Sequence, residues 1–122
     1  MKEDNIFEMN MLNSRAGELE QQIMLLDQQL QELKFLQDDL DSLSKEKQGE
    51  AFMPLNKDMF VRGNITDTKN VFVSVGSGII LKKNITGAKE MAERNEKKVS
   101  EIKEKILNDI KRIIERMEEL QN

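Results

Sequence analysis

Apolar residues recur in the first third of the chain at Leu12, Ala16, Leu19, Ile23, Leu26, Leu30 and Leu33, in alternating steps of four and three. This is the a/d spacing of a heptad seam, which puts one apolar stripe on an α-helix and calls for a second helix to cover it. Between the seam positions lie Glu, Gln and Asp. After Leu33 a strict register would fall on Gln37, whereas the apolar residues continue as Leu36, Leu40 and Leu43. The spacing therefore predicts a seam that slips by one residue. No Gly or Pro interrupts from Glu18 to Gln48, and Gly49, preceded by Lys45 and Lys47, reads as a helix stop with cations on the negative end. The pattern predicts a helix over about 5–48.

The last third repeats the pattern. Ala88, Ala92, Asn95, Val99, Ile102 and Ile106 step by four and three, and Ile110, Ile113, Met117 and Leu120 follow after one extra step of four, a stutter. A second helix is predicted over about 86–121, with Asn84 or Thr86 as its N-cap. The middle has another texture. Phe52, Val61, Ile65, Val71, Phe72, Val73, Val75, Ile79, Ile80 and Leu81 are mostly β-branched or aromatic, and turn residues divide them at Pro54–Asp58, Thr66–Lys69 and Gly76–Gly78. Four short strands follow, near 50–54, 59–65, 70–75 and 78–83, paired as two β-hairpins, with Gly63 as a bulge or bend.

Each helix has one seam to bury and no other long helix to bury it against. The expected fold is therefore α+β: a long antiparallel coiled-coil helical hairpin with two β-hairpins at the connecting end, a single domain over 1–122. The chain termini then meet at the far tip, and the charge balance agrees. Residues 1–50 carry 12 acidic and 5 basic side chains and residues 51–122 carry 11 and 14, so the halves attract although the whole chain is at −4.

Composition narrows the chemistry. Aromatics are 4% of the chain and charged residues 34%, a profile of long helices and coiled coils. Cysteine and histidine are both absent, so thiolate chemistry, the commonest metal ligand and the commonest general base are missing. Asp38, Asp39 and Asp41 form an acidic cluster, read as a solvated helix face. No catalytic, metal or cofactor site is expected. The acidic start and the lack of any apolar run of about 20 residues predict a soluble, cytoplasmic protein without a membrane span. No basic stripe with interleaved aromatics points to nucleic acid.

The stretch NVFVSVGSGIIL, Asn70 to Leu81, could be a phosphate loop or a hairpin tip. A phosphate loop needs a helix after its glycines. Here Ile79-Ile80-Leu81 continue as a strand, so the hairpin reading stands, with Gly76-Ser77 as a type II′ turn. Val71, Val73 and Val75 point to one face and Phe72 to the other, and across the turn Ile79 and Leu81 oppose Ile80. Both faces thus carry large apolar groups, which calls for neighbouring subunits. The termini are also apolar. Ile6, Phe7, Met9, Met11 and Leu12 face Ile110, Ile113, Ile114, Met117 and Leu120 in an antiparallel pair, and one seam cannot hide both members of Ile6-Phe7 or Ile113-Ile114. The excess reads as a contact surface.

The segment MPLNKDMFVRGNITDTKNVFVSVGSGIILKK, set between two heptad helices, closely resembles the alpha class of archaeal prefoldin subunits. The likeness rests on Pro54-Leu55, Phe60-Val61 and Val73-Ser74-Val75-Gly76-Ser77-Gly78 in that order, and on two hairpins rather than one. It departs in the first turn, where Asn56-Lys57-Asp58 stands in place of a glycine-containing turn, and in helices at the short end. The resemblance implies a hexamer of two alpha and four beta subunits with a β-barrel platform and coiled-coil tentacles. It also implies ATP-independent holding of unfolded client proteins at the tips, and delivery to a chaperonin. Assembly would fall to Phe60, Val61, Val71, Val73, Val75, Ile79, Ile80 and Leu81, and client contact to the two terminal clusters. The alternative expectation is a structural coiled-coil scaffold or filament subunit that assembles by its hairpins and binds no client.

Overall fold

In a computed structural model, which describes residues 2–122, the element order is α1 (Glu3–Lys45), β1 (Gly49–Pro54), β2 (Phe60–Ile65), β3 (Asn70–Ser74), β4 (Ile80–Asn84) and α2 (Ile85–Gln121). The chain divides into two compact units, Met1–Lys34 with Arg94–Asn122, and Phe35–Glu93.

In the first unit the two helices run antiparallel. Asp27 is paired with Lys103 at 2.6 Å and Glu8 with Arg116 at 2.8 Å, so moving toward the start of α1 moves toward the end of α2. The seam is made by Leu12, Ala16, Leu19, Ile23, Leu26, Leu30 and Leu33 of α1, with Leu19 buried. On α2 the covered line is Glu96, Val99, Lys103, Ile106, Ile110, Ile113, Met117 and Leu120. This differs from the predicted stripe, because Asn95 and Ile102 lie outside it. The extra step of four falls at Ala88–Ala92–Glu96, not at Ile102–Ile106–Ile110. Lys103 can take a seam position because its aliphatic stem lies along the apolar stripe while its ammonium reaches Asp27.

In the second unit the α1 seam slips one turn later than predicted, with Leu43 and not Ser44 following Leu40. Gln37 is half-buried, Leu36 is exposed and Leu40 is buried, so the strict heptad continues from Leu33 through Gln37 to Leu40. Leu40 belongs to both the strict and the slipped register, and it is packed against partners in this unit. Those partners are Ile85 and Ala88, with Leu43 and Val71 packed against the cluster. Asp41 is hydrogen-bonded to the Lys89 ammonium beside it. α1 ends at Lys45, short of the predicted stop, with the Glu46 N–H donating to the Leu43 carbonyl at 3.2 Å. Gly49 is the first residue of β1 instead of the helix cap.

The two hairpins are separate two-stranded antiparallel sheets. β1 pairs with β2 from Gly49–Ile65 to Pro54–Phe60, and β3 with β4 from Asn70–Asn84 to Ser74–Ile80. The β1–β2 ladder is unbroken, so Gly63 is not a bulge. It pairs with Ala51, and a Cβ there would run into the Met53 side chain, so glycine clears room for Met53. The registers coincide when the second hairpin is shifted back by 20 residues: Phe52–Arg62 becomes Phe72–Lys82, and Pro54–Phe60 becomes Ser74–Ile80. The turns close alike, with the Leu55 N–H donating to Met59 O at 2.8 Å and the Val75 N–H to Ile79 O at 3.0 Å.

Side-chain chemistry then makes the turns differ. In the first, Asn56 Oδ1 accepts the N–H groups of Asp58 and Met59, both at 2.9 Å, an Asx turn that needs no glycine. In the second, the Ile79 N–H donates to Gly76 O at 3.0 Å, so the central residues are Ser77 and Gly78, with φ of 54° and 74°. Positive φ at both is the demand of a type I′ turn, not the predicted type II′ with Gly76-Ser77. Between the hairpins Asp67 Oδ1 accepts the Lys69 and Asn70 N–H groups at 2.9 and 3.1 Å. α2 opens on Asn84, whose Oδ1 accepts the Gly87 N–H at 2.6 Å, the N-cap bond at N3.

Candidate functional site

Exposed apolar side chains occur along both helices, Met24, Leu25, Phe35, Ile102 and Leu107 among them, and two groups bear on the predicted sites. The first is on the paired helices. Ile6, Phe7, Met11 and Ile114 are exposed, Phe7 most of all at 68%. Met9, Leu12, Ile110, Ile113 and Met117 are half-buried along the seam, and Leu120 is buried. The seam takes every third or fourth residue, so the second member of Ile6-Phe7 and of Ile113-Ile114 has no helix to lie against. Phe7 and Met11 border an open groove completed by Asn10, Ser14, Arg15 and Glu18, with Arg15 paired to Glu18 at 3.1 Å.

An ion pair joins these helix ends. The Arg116 guanidinium donates through Nε and Nη2 to the two carboxylate oxygens of Glu8, at 2.8 and 3.2 Å, and through Nη1 to Glu119 at 3.0 Å. The fork geometry suits a carboxylate on the opposite helix better than a lysine would. The hydrogen bond from Arg116 holds the Glu8 carboxyl below its ordinary range, and Glu8 in turn raises Arg116. The pair links Glu8 to Arg116 across the two helices beside the apolar cluster and leaves Ile6, Phe7, Met11 and Ile114 open.

The second group is on the hairpins. Phe60, Val61, Val75, Ile79, Ile80 and Leu81 are exposed, whereas Val71 and Val73 are half-buried. Phe52, Met53, Leu55, Met59 and Phe72 are exposed as well. Sequence reasoning did not name these five as site residues, and the signal lay in the 20-residue offset that matches Phe52 to Phe72 and Val61 to Leu81. Cross-strand partners share a face, so Val71, Val73 and Leu81 lie on one side of the second hairpin and Phe72, Ser74, Ile80 and Lys82 on the other. The first side contributes Val71 to the core with Leu40.

Of the acidic cluster on α1, Asp41 is engaged by Lys89, whose hydrogen bond lowers the Asp41 carboxyl and raises the Lys89 ammonium. Among the described residues no group of acidic side chains is placed to hold a metal ion, and no helix is long and apolar enough to cross a membrane.

Known proteins are similar to this chain in sequence and in fold. The family described as Prefoldin subunit matches residues 12–122. Prefoldin subunit alpha of Methanobrevibacter smithii is 32% identical over 106 residues, covering 87% of this chain and 73% of that protein. Prefoldin subunit alpha of Thermofilum pendens is 25% identical over 116 residues, covering 94% and 90%. Human prefoldin subunit 5 is 31% identical over 100 residues, covering 74% and 65%. Among solved structures, a chain of filamentous PFD from Methanocaldococcus jannaschii superposes with a TM-score of 0.62 at 23% identity, over 96% of this chain and 92% of that one, a likeness of fold. With a profile match from the first helix to the last residue and alpha subunits aligned across both hairpins, this chain belongs to the prefoldin family and resembles its archaeal alpha subunits.

Proposed function

We propose that this chain is the alpha-type subunit of an ATP-independent holdase, acting as one domain over its 122 residues. It assembles with beta-class prefoldin subunits through its hairpins, in a complex of two alpha and four beta chains. It captures unfolded client proteins on the apolar helix ends and releases them to a chaperonin in the cytoplasm. The observation that carries client capture is the exposure of Ile6, Phe7, Met11 and Ile114 on paired, antiparallel helix ends. Such a surface fits unfolded chains because its grip is non-directional. Methionine adds flexible, polarizable contact that accepts side chains of varied shape. The role is non-enzymatic: the chain offers neither His nor Cys, and holding needs only reversible burial of apolar surface.

The test is suppression of aggregation of a heat-denatured protein by the assembled complex. Replacing Phe7, Met11 and Ile114 by Ser should abolish suppression while helix content and assembly persist, because those side chains stand outside the seam. Undiminished suppression by that variant refutes client capture at this site. A scaffold subunit would give no suppression with either chain, and that result would favour the structural reading.

A further inference from the structure

The open helix ends are also the acidic part of their unit. Residues 2–20 and 108–122 carry nine carboxylate side chains and five cationic ones, whereas the rest of that unit, residues 21–34 and 94–107, carries five and six. Ion pairs engage every arginine of the helix ends: Arg15 meets Glu18, Arg112 meets Asp109, and Arg116 meets both Glu8 and Glu119. Glu3, Asp4, Glu20, Glu115 and Glu118 have no ion pair among the described residues. Against these five carboxylates stand only the ammonium groups of Lys2 and Lys111.

The helices' own electrostatics account for part of this excess. Glu3 and Asp4 lie in the first turn of α1, where carboxylates meet the positive end of the helix dipole. The last turn of α2 is the reverse case. It holds Glu118 and Glu119 and no base, at the end where the dipole favours cations. Glu119 is engaged by Arg116, and Glu118 is not. Glu115 and Glu118 are both exposed and flank Ile114, the first next to it in sequence and the second one turn beyond. A segment that buries apolar residues on Phe7, Met11 and Ile114 brings its flanking side chains within a Debye length of these two carboxylates, about 8 Å at physiological salt. A lysine or arginine there is attracted and lays its aliphatic stem along the apolar surface, whereas an aspartate or glutamate is repelled.

We propose that the apolar helix ends prefer unfolded segments whose apolar residues alternate with Lys or Arg over equally apolar segments carrying Asp or Glu, and that Glu115 and Glu118 make this choice. The inference rests on the client-capture reading above and adds to it the chemical class of segment taken and the residues that select it.

The experiment titrates the full chain into two labelled, unstructured peptides with the same apolar residues, separated by lysines in one and by glutamates in the other. Fluorescence anisotropy follows binding at low salt and at about 0.5 M salt, where exposed charges are screened. The lysine peptide should bind roughly fivefold tighter or more at low salt, with a smaller gap at high salt. Glu115→Gln combined with Glu118→Gln should close the gap to within about twofold. Asp38→Asn combined with Asp39→Asn, which removes the same charge from the other unit, should leave the gap as in the wild type. Far-UV circular dichroism of each variant should match the wild type, since all four positions are exposed. Equal binding of the two peptides by the wild type overturns the inference while client capture stands. A gap that the Glu115 and Glu118 changes leave intact also overturns it, as does one that the Asp38 and Asp39 changes close equally, because net charge would then make the choice. If neither peptide binds, or both bind undiminished when Phe7, Met11 and Ile114 are replaced by Ser, client capture at this site fails and the inference with it.

Discussion

Leu40 and Leu36 lie one turn apart on α1, and the fold assigns them opposite fates. Leu40 is 5% exposed, against Ile85 and Ala88 with Leu43 and Val71 beside it, while Leu36 is 45% exposed. Leu40→Ala deletes three buried carbons, at about 0.8 kcal/mol each, or about 2.4 kcal/mol of lost transfer energy. Any space that Leu43 and Val71 do not fill adds about 24 cal/mol per Å³, so a residual void of about 20 Å³ brings the loss to about 3 kcal/mol. Leu36→Ala deletes the same atoms from a position that is nearly half in water and outside the core cluster, and alanine is at least as good a helix former. Its effect should stay within about 0.5 kcal/mol. Urea unfolding followed by far-UV circular dichroism separates the two. Leu40→Ala should lower the midpoint by about 1–2 M and Leu36→Ala should leave it nearly unchanged. Equal shifts, or a larger one for Leu36→Ala, would mean that Leu36 holds the seam position assigned to Gln37.

Ser77 holds a φ of 54° at a turn position that favours glycine or asparagine, so Ser77→Gly should stabilise the chain by about 0.5–1 kcal/mol, and Gly76→Ala, at φ 99°, should destabilise it by about 1 kcal/mol or more; urea melts measure both. Asn84→Ala removes the acceptor for the Gly87 N–H and should cost about 1 kcal/mol, whereas Asn84→Ser should cost a few tenths. The carboxyls of Glu8, Asp41 and Asp67 are held below their ordinary values of 4.5, 3.8 and 3.8 by the Arg116 side chain, the Lys89 side chain and the Lys69 backbone N–H respectively. Groups lowered in this way give their full stabilisation above those ordinary values and lose it as pH falls through the folded ones. The melting temperature should therefore be level from neutral pH to about pH 5 and fall below about pH 4, with a shallower fall in Asp67→Asn.

The heptad helices were legible because a seam is a local property, repeated until chance spacing is implausible. What the repeat could not supply was the choice between neighbours. Leu36 outranks Gln37 on hydrophobicity alone, yet Gln37 is half-buried and Leu36 exposed, and the slip comes one turn later at Leu43. Ile102 likewise outranks Lys103, but a lysine stem is apolar and Asp27 across the helix pair receives its charge. The hairpins were visible from β-branched residues and turn signals. Their exact turn was not, because Gly76-Ser77-Gly78 accommodates two centres, and only the pairing of Ser74 with Ile80 selects Ser77-Gly78. Gly63 was misread for a related reason. Glycine in a strand signals close approach as readily as a bulge, and here it is the Met53 side chain that approaches. The terminal clusters were legible as apolar excess, since adjacent apolar pairs cannot share a seam.

The same arithmetic explains why assembly and stability should be linked in this chain. Its buried apolar residues, Leu19, Leu40, Ile85, Ala88, Ala92 and Leu120, all belong to helix seams or to the cluster at Ile85. The hairpins contribute Val71 to that cluster and otherwise leave Phe52, Phe60, Phe72, Ile79 and Ile80 in water. A two-stranded hairpin is marginal in isolation, so these strands gain most from an added neighbour. Any chain that covers them binds the folded form alone, and at a hundred times its dissociation constant adds about 2.7 kcal/mol of stability. The helix ends obey the opposite logic. The seam residues Leu12, Ile113, Met117 and Leu120 pack them without covering Phe7 or Met11, so that apolar surface can be occupied and vacated without unfolding the helices that present it. A surface that must be covered for stability suits a permanent partner, and one that is rigid while empty suits a transient one.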